Sequence, residues 1–284
     1  GSLESFNQRF ANPIERDKDE NASESLRRLI QPFILRRTKD QVLKELPART
    51  EITLPVELSK EEKASYEALR REALENLTNS EAQAGQRHLQ VLAEIMKLRR
   101  ACCNPSLVRP ELSIPSAKLQ QFNELIAELL DNGHKALVFS QFVDHLKILR
   151  NHLDEQQIHY QYLDGSTSRK KRKQAVDAFQ AGEGDVFLIS LKAGGSGLNL
   201  TAADYVLHMD PWWNPAVEDQ ASDRAHRIGQ QRPVTIYRLV AKGTIEDKIE
   251  ALHKLKRDLA DSLLTGSDAS GKVSTEQLLS LIQQ

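Results

Sequence analysis

The chain is short of cysteine, tryptophan and methionine, with two of each, and aromatic residues make up 5% of it. Cys102 and Cys103 are adjacent, so they cannot frame a disulfide scaffold, and no Cys/His grouping has zinc spacing. A reduced protein without metal ligands of its own is expected. No apolar run approaches the ~18 residues a membrane-spanning helix needs, and no secretory leader pattern opens the sequence. The expectation is a soluble, intracellular protein with no membrane partner. An excess of one charge is lacking too: 39 Lys and Arg face 40 Asp and Glu, a net charge of −1. That balance argues against wholesale polyanion binding. It leaves local basic runs for an anionic partner, Arg36-Arg37-Thr38-Lys39 and Arg169-Lys170-Lys171-Arg172-Lys173.

What is present suffices for a real core: 284 residues, 39% hydrophobic, enough for one or two domains. Residues 1–25 are polar and irregular and read as peripheral. From 26 to 115 the pattern is mainly helical. Leu29, Ile30, Phe33, Ile34, Val42, Leu43 and Leu46 recur at helical spacing, and Ile52, Leu54, Val56 and Leu58 alternate as a strand. Ser59-Lys60-Glu61-Glu62 is a capping box that opens a helix reaching about Leu77. A further helix, about Glu81 to Cys103, is ended by Asn104-Pro105, with the cysteines as core residues at its end.

Beyond Lys118 helices alternate with short apolar strands at 136–140, 159–163, 186–190, 205–209 and 234–240. This rhythm predicts an α/β fold, a parallel doubly wound sheet with helices on both faces. Ligands of such sheets bind in loops beyond the strands' carboxyl ends, here the loops starting at Ser140, Asp164, Leu191, Asp210 and Ala241. A helix opened by Thr244 carries Ile245, Ile249, Leu252, Leu255, Leu259 and Leu263 on one face, and 274–282 reads as a short amphipathic helix.

Several of these loops carry chemistry. In Gln220-Ala-Ser-Asp-Arg224-Ala-His-Arg227-Ile-Gly-Gln230, read as a helix, Gln220, Arg224 and Arg227 fall at i, i+4 and i+7. Two guanidiniums on one rigid face suit the charge of a transferring phosphoryl group. The bland alternative is a solvated face with Glu218 and Asp223 as ion-pair partners. Leu191-Lys192-Ala193-Gly194-Gly195-Ser196-Gly197 offers backbone N–H groups to a phosphate, or is only a tight turn. Asp164-Gly165-Ser166-Thr167 leads into five successive basic residues. Cations at a helix N-terminus oppose its dipole unless an anion binds there, so a nucleic-acid phosphate and a capped helix with a solvated basic face are the two readings. Trp212 and Trp213, between Pro211 and Pro215, are loop anchors or stacking partners, and Ser140-Gln141 is a helix cap or a ligand pair. Residues 266–273 nearly match a Walker A loop, but Val273 stands where the metal-binding hydroxyl belongs and a helix precedes them. The sequence has no other Walker A and no Asp-Glu-x-His box.

Taken in order, these segments resemble the second RecA-like lobe of Swi/Snf-type ATPases, superfamily II translocases on double-stranded DNA. Val138-Phe-Ser-Gln-Phe142 is similar to motif IV, Ser190–Thr201 to motif V, and Asp210–Pro215 with Gln220–Gln230 to motif VI and its approach. Phe33–Arg37 with Leu46-Pro47 is similar to the hinge and protrusion, and Ile245–Ile249 to the brace helix. The short protrusion and the lack of a chromatin-reader module resemble a compact bacterial-type member.

The resemblance implies a RecA-like, P-loop-NTPase-like sheet with a helical protrusion and a brace helix. It divides the chain into 1–25, the trailing edge of an absent first lobe; 26–115, hinge and protrusion; 116–243, the second lobe; and 244–284, brace and tail. It implies ATP and Mg²⁺ held mainly by the first lobe. Arg224 and Arg227 would be catalytic fingers, with Gly195, Gly197 and Gln220 lining the nucleotide cleft. Ser140, Gln141, Gly165, Ser166, Lys192 and Trp213 would face phosphates of double-stranded DNA. The implied partners are DNA, the N-terminal RecA-like lobe of the same protein, and a nucleoprotein or transcription complex. The implied place is the bacterial cytoplasm at the nucleoid, or the nucleus in a eukaryote. Alone, the chain is expected to be inactive as an ATPase. A stand-alone DNA- or protein-binding module and an RNA helicase lobe are the alternatives.

Overall fold

The strands β1 (Arg49–Val56), β2 (Ala136–Ser140), β3 (Tyr160–Leu163), β4 (Val186–Ser190), β5 (Tyr205–His208) and β6 (Val234–Ala241) pair in one sheet, in the order β1-β6-β5-β2-β4-β3. Every pairing is parallel. These ranges come from a computed structural model that describes residues 3–16, 19–30, 46–79, 84–193, 198–252 and 275–283.

The near-continuous apolar runs of β2 and β4 are buried at every position, as strands covered on both faces must be. Successive residues serve opposite faces. Leu137, Phe139, Phe187, Ile189 and Ile236 pack with Phe179 and Ala221. Ala136, Val138, Leu188 and Leu207 pack with Phe122, Ile126, Leu146 and Leu149. The helices supplying those partners are α3 (Ala117–Asp131) and α4 (Val143–Glu155) on one face, and α5 (Arg169–Gln180) and α6 (Pro215–Ser222) on the other. The predicted RecA-like sandwich is present.

Between β1 and α3 come α1 (Lys60–Thr78) and α2 (Ala84–Cys103). The Ser59 capping box forms in full: Ser59 Oγ accepts from Glu62 N at 3.1 Å, and Glu62 Oε2 accepts from Ser59 N at 2.8 Å. Cys102 and Cys103 are buried at the end of α2, as core residues. A helix at residues 245–252, α7, follows β6, and α8 (Thr275–Gln283) packs with α1 and α2.

The strand read at Ile52–Leu58 belongs to the sheet rather than to the helical segment. β1 runs beside β6 from Arg49↔Val234 to Val56↔Ala241, as a sixth strand at the edge. Contacts divide the chain into two units, Gly1–Lys44 with Ala251–Ser274, and Glu45–Glu250 with Thr275–Gln284. In the first, the described residues are short helical stretches from Leu3 to Ile30, together with residues 251 and 252 at the end of α7. Everything below concerns the second. The hinge motif Phe33–Arg37, Gly195 and Gly197, the brace face from Leu255 to Leu263 and the near-Walker segment lie outside the described residues. No described helix is long and apolar enough to cross a membrane.

Candidate nucleotide and nucleic-acid site

The loop from β4 to β5 carries the chain across β2 and so passes the sheet's switch point: it leaves the carboxyl end of β4 and reaches the amino end of β5, beside Lys135. The arginine segment docks on this loop. Leu200 N donates to Arg224 O at 3.0 Å. Gln230, itself buried, has Nε2 within hydrogen-bond distance of Thr201 O (3.2 Å), Ala203 O (2.8 Å) and Ala225 O (3.0 Å), and its Oε1 accepts from Gln231 and Arg232 N at 2.9 Å each. Sequence reasoning passed over Gln230 because an amide gives no sign of burial in its spacing.

The reading of Gln220–Gln230 as one helix is corrected. α6 stops at Ser222, and residues 223–229 are turns, with Gly229 at φ 102°. Stacking at i, i+4 and i+7 therefore does not unite Gln220 with the arginines. Gln220 is exposed on α6, Arg224 is buried at 3% exposure, and Arg227 is half-buried with its Nε donating to Asp223 O at 3.1 Å. Burial, then the neighbouring guanidiniums of Arg227 and Arg172, lower the Arg224 pKa to about 10. Asp223 pairs with Arg49 at 3.0 Å and Glu218 with Arg238 at 2.9 Å. These carboxylates brace β1 and β6 against α6.

At the end of β2, Ser140 is fully buried, and its hydroxyl donates to Asp210. The expectation that Ser140 faces a DNA phosphate is corrected: it organises the loop from within. Asp210 also accepts from Gln141 N at 3.3 Å, and the amide of the half-buried Gln141 has both polar atoms buried without a hydrogen-bond partner among the described residues. Burial raises the Asp210 pKa, against the pull of Arg99 and Ser140. Arg99, also fully buried, donates to Pro211 O and lies among the rings of Trp213 (5.3 Å), Phe142 (5.7 Å) and Trp212 (5.9 Å). Both tryptophans anchor the loop through Arg99, and Trp213 is half-buried there.

Gly165, Ser166 and Lys192 are exposed at the same carboxyl edge. Asp164 Oδ1 accepts from Ser166 N (2.8 Å) and Ser166 Oγ (2.6 Å), and Thr167 Oγ1 accepts from Asp164 N (3.0 Å). Ser168, the residue before α5, caps it through Lys171 N. The hydrogen bonds from Ser166, Tyr162 and Thr167 outweigh burial and keep Asp164 below the ordinary carboxylate range.

Ligating atoms of Cys103, His145 and Asp210 lie within 4.8 Å of one another, gathered from three segments that no spacing rule would join. Asp210 already accepts from Ser140 and lies 3.9 Å from Arg99, so the protein's own cation fills the role a metal would take.

A parallel sheet with both faces covered, an arginine segment on its switch-point loop and hydroxyl-bearing turns at its carboxyl edge define a RecA-like lobe. The helicase conserved C-terminal domain family matches residues 117–229, and the SNF2-related domain family matches residues 1–107. The chain is 31% identical to the Sulfolobus solfataricus SWI2/SNF2 ATPase C-terminal domain, covering 83% of this chain and 98% of that one with a TM-score of 0.65. It is 33% identical to the Sulfolobus solfataricus SWI2/SNF2 ATPase core in complex with dsDNA, over all of this chain and 58% of that one, at a TM-score of 0.66. YwqA of Bacillus subtilis, whose name describes an ATP-dependent helicase/translocase, is 37% identical over 98% of this chain, which spans 31% of its length. The chain belongs to the Swi/Snf family of ATPases, as its SNF2-related and helicase C-terminal region.

Proposed function

We propose that this chain is the second motor lobe of an ATP-dependent translocase on double-stranded DNA, and that Arg224 and Arg227 complete an ATP site carried mainly by the first lobe. The observation that carries the reading is the fixing of both arginines to the switch-point loop by Gln230 and by the Leu200–Arg224 backbone bond. Cations held before substrate arrives need no reorganisation in the transition state. A set of guanidiniums fits a polyphosphate and repels a bare metal ion, so magnesium belongs with the other lobe. By the family resemblance the exposed Gln220 is kept as a further nucleotide-facing residue, as are Gly195 and Gly197, which lie outside the described residues. Ile228, 73% exposed beside Arg227, offers a closing partner an apolar contact.

Duplex DNA lies across the carboxyl edge, where Gly165, Ser166 and Lys192 meet phosphates, while Ser140, Gln141 and Trp213 hold that edge in shape. Each closure of the lobes on ATP moves the duplex, in a nucleoprotein or transcription complex at a bacterial nucleoid, or in the nucleus of a eukaryote. The Sulfolobus complex with dsDNA supports duplex DNA over RNA as activator.

The test is Arg224→Ala and Arg227→Ala in the full-length protein. DNA-stimulated hydrolysis should fall by about 10³-fold or more, with duplex binding kept. Unimpaired turnover overturns the role. Salt-dependent duplex binding by this chain alone, undiminished without the first lobe, would favour a stand-alone binding module.

A further inference from the structure

Among the five basic residues that open α5, Arg172 alone is half-buried, and Arg169, Lys170, Lys171 and Lys173 are exposed. Arg172 falls on one stripe with Ala175, Val176 and Phe179, at i, i+3, i+4 and i+7. Those three pack in the core that also holds Leu198, Leu200, Ala221 and Ala225. The helix thus presents Arg172 to the segment that carries the two fingers. Arg224 feels its charge beside that of Arg227.

Elsewhere on this surface the fold pairs its guanidiniums: Arg49 meets Asp219 and Asp223, and Arg238 meets Glu51 and Glu218. Among the described residues Arg172 has no ion pair and no side-chain hydrogen bond, and its backbone N–H is used by Ser168 O at 2.8 Å. Arg227 has no carboxylate partner there either, only the Asp223 carbonyl. Neighbouring like charges repel, and a shared anion reverses the sign.

We infer that Arg172 is a third guanidinium of the nucleotide site, binding the phosphates of the nucleoside triphosphate beside Arg224 and Arg227 and not the DNA backbone. The inference rests on the reading of those two as nucleotide-facing. It divides the basic run: the exposed cations are left for nucleic acid, and the half-buried one serves the nucleotide. A third fork on the phosphates adds charge where the transferring group spreads its own.

The experiment uses the full-length protein with Arg172→Gln, Arg172→Lys and Arg227→Ala. It measures turnover at saturating duplex DNA, KM for ATP, affinity for ADP with and without aluminium fluoride, duplex affinity over a salt series, and Tm. Arg172→Gln should lower kcat about 10- to 100-fold and weaken the aluminium fluoride complex more than ADP alone, with duplex affinity and its salt slope unchanged. Unchanged kcat overturns the inference. So does intact kcat with a salt slope lowered by about one, which makes Arg172 a DNA contact. Should Arg172→Gln not fold, Arg172→Lys carries the test: it keeps the stem and charge but loses the fork, so at least a tenfold fall in kcat supports the inference and wild-type kcat overturns it. Turnover lost in Arg227→Ala but kept in the Arg172 variants removes only the third cation. Turnover kept in all removes the arginine assignment as a whole.

Discussion

The guanidinium carbon of Arg99 lies 5.3 Å from the ring centroid of Trp213, with Arg99 fully out of solvent. A cation late in α2 thereby fixes the loop that follows β5, through that ring, Trp212, Phe142 and the Pro211 carbonyl. Arg99→Ala leaves Asp210 buried without its nearest guanidinium, empties the aromatic cage and should cost about 3–5 kcal/mol, read from urea unfolding. A loss under about 1 kcal/mol would mean that the loop holds itself.

His145 makes the fold acid-sensitive. Its ring is fully buried, Nε2 has no hydrogen-bond partner, and burial with Lys118 nearby lowers its pKa to about 3. The unfolded ring, near 6.5, takes up a proton that the folded one refuses. This group therefore costs nothing above pH 6.5, and stability falls as pH drops from there toward about 3, by up to about 1.4 kcal/mol per unit. His145→Leu should flatten the difference between stabilities measured at pH 7 and pH 4. An unaltered slope would assign the acid loss to other groups.

Much of this fold is legible in the sequence, because burial on two faces forces runs such as Val186–Ser190, and capping boxes such as Ser59–Glu62 are local chemistry. What escaped depends on contacts between distant residues. β1 alternates like any edge strand, and only its pairing with β6, far along the chain, enrols it in the sheet. The arginine segment has helical spacing, yet the Gln230 side-chain amide ties the Ala225 carbonyl to those of Thr201 and Ala203 and holds the segment in turns. Ser140 reads as a site residue because it ends a strand, and the buried carboxylate that accepts its hydrogen bond lies 70 positions away.

Gln230 offers a direct test of how Arg224 and Arg227 are held. Gln230→Ala removes donors from three backbone carbonyls and should cost about 2–3 kcal/mol. In the full-length protein turnover should fall further than stability alone explains, because Arg224 and Arg227 lose their fixed turn. Gln230→Glu should be worse, since it sets an oxygen against those same carbonyls. Equal effects of the two variants on unfolding free energy would contradict the amide orientation.

Lys118 and Glu246 form a pair at 2.7 Å with neither side chain exposed. Burial alone would push the Lys118 pKa down, but Glu246 outweighs it and raises the value above the ordinary lysine range. A raised folded pKa contributes stability below the unfolded value near 10.5, lost as pH climbs through the folded one. Glu246→Gln or Lys118→Met alone strands a buried partner and should cost about 3–5 kcal/mol. The double variant Lys118→Met/Glu246→Leu should be no less stable than either single variant, since no buried charge is stranded. It should not recover wild-type stability, because Lys118 also donates to Met209 O at 2.6 Å and Glu246 accepts from Ala241 N at 2.8 Å. Those two backbone groups remain unsatisfied, at about 1–3 kcal/mol each. A double variant as unstable as the two singles added together would show that the charges act independently and that their pairing contributes nothing.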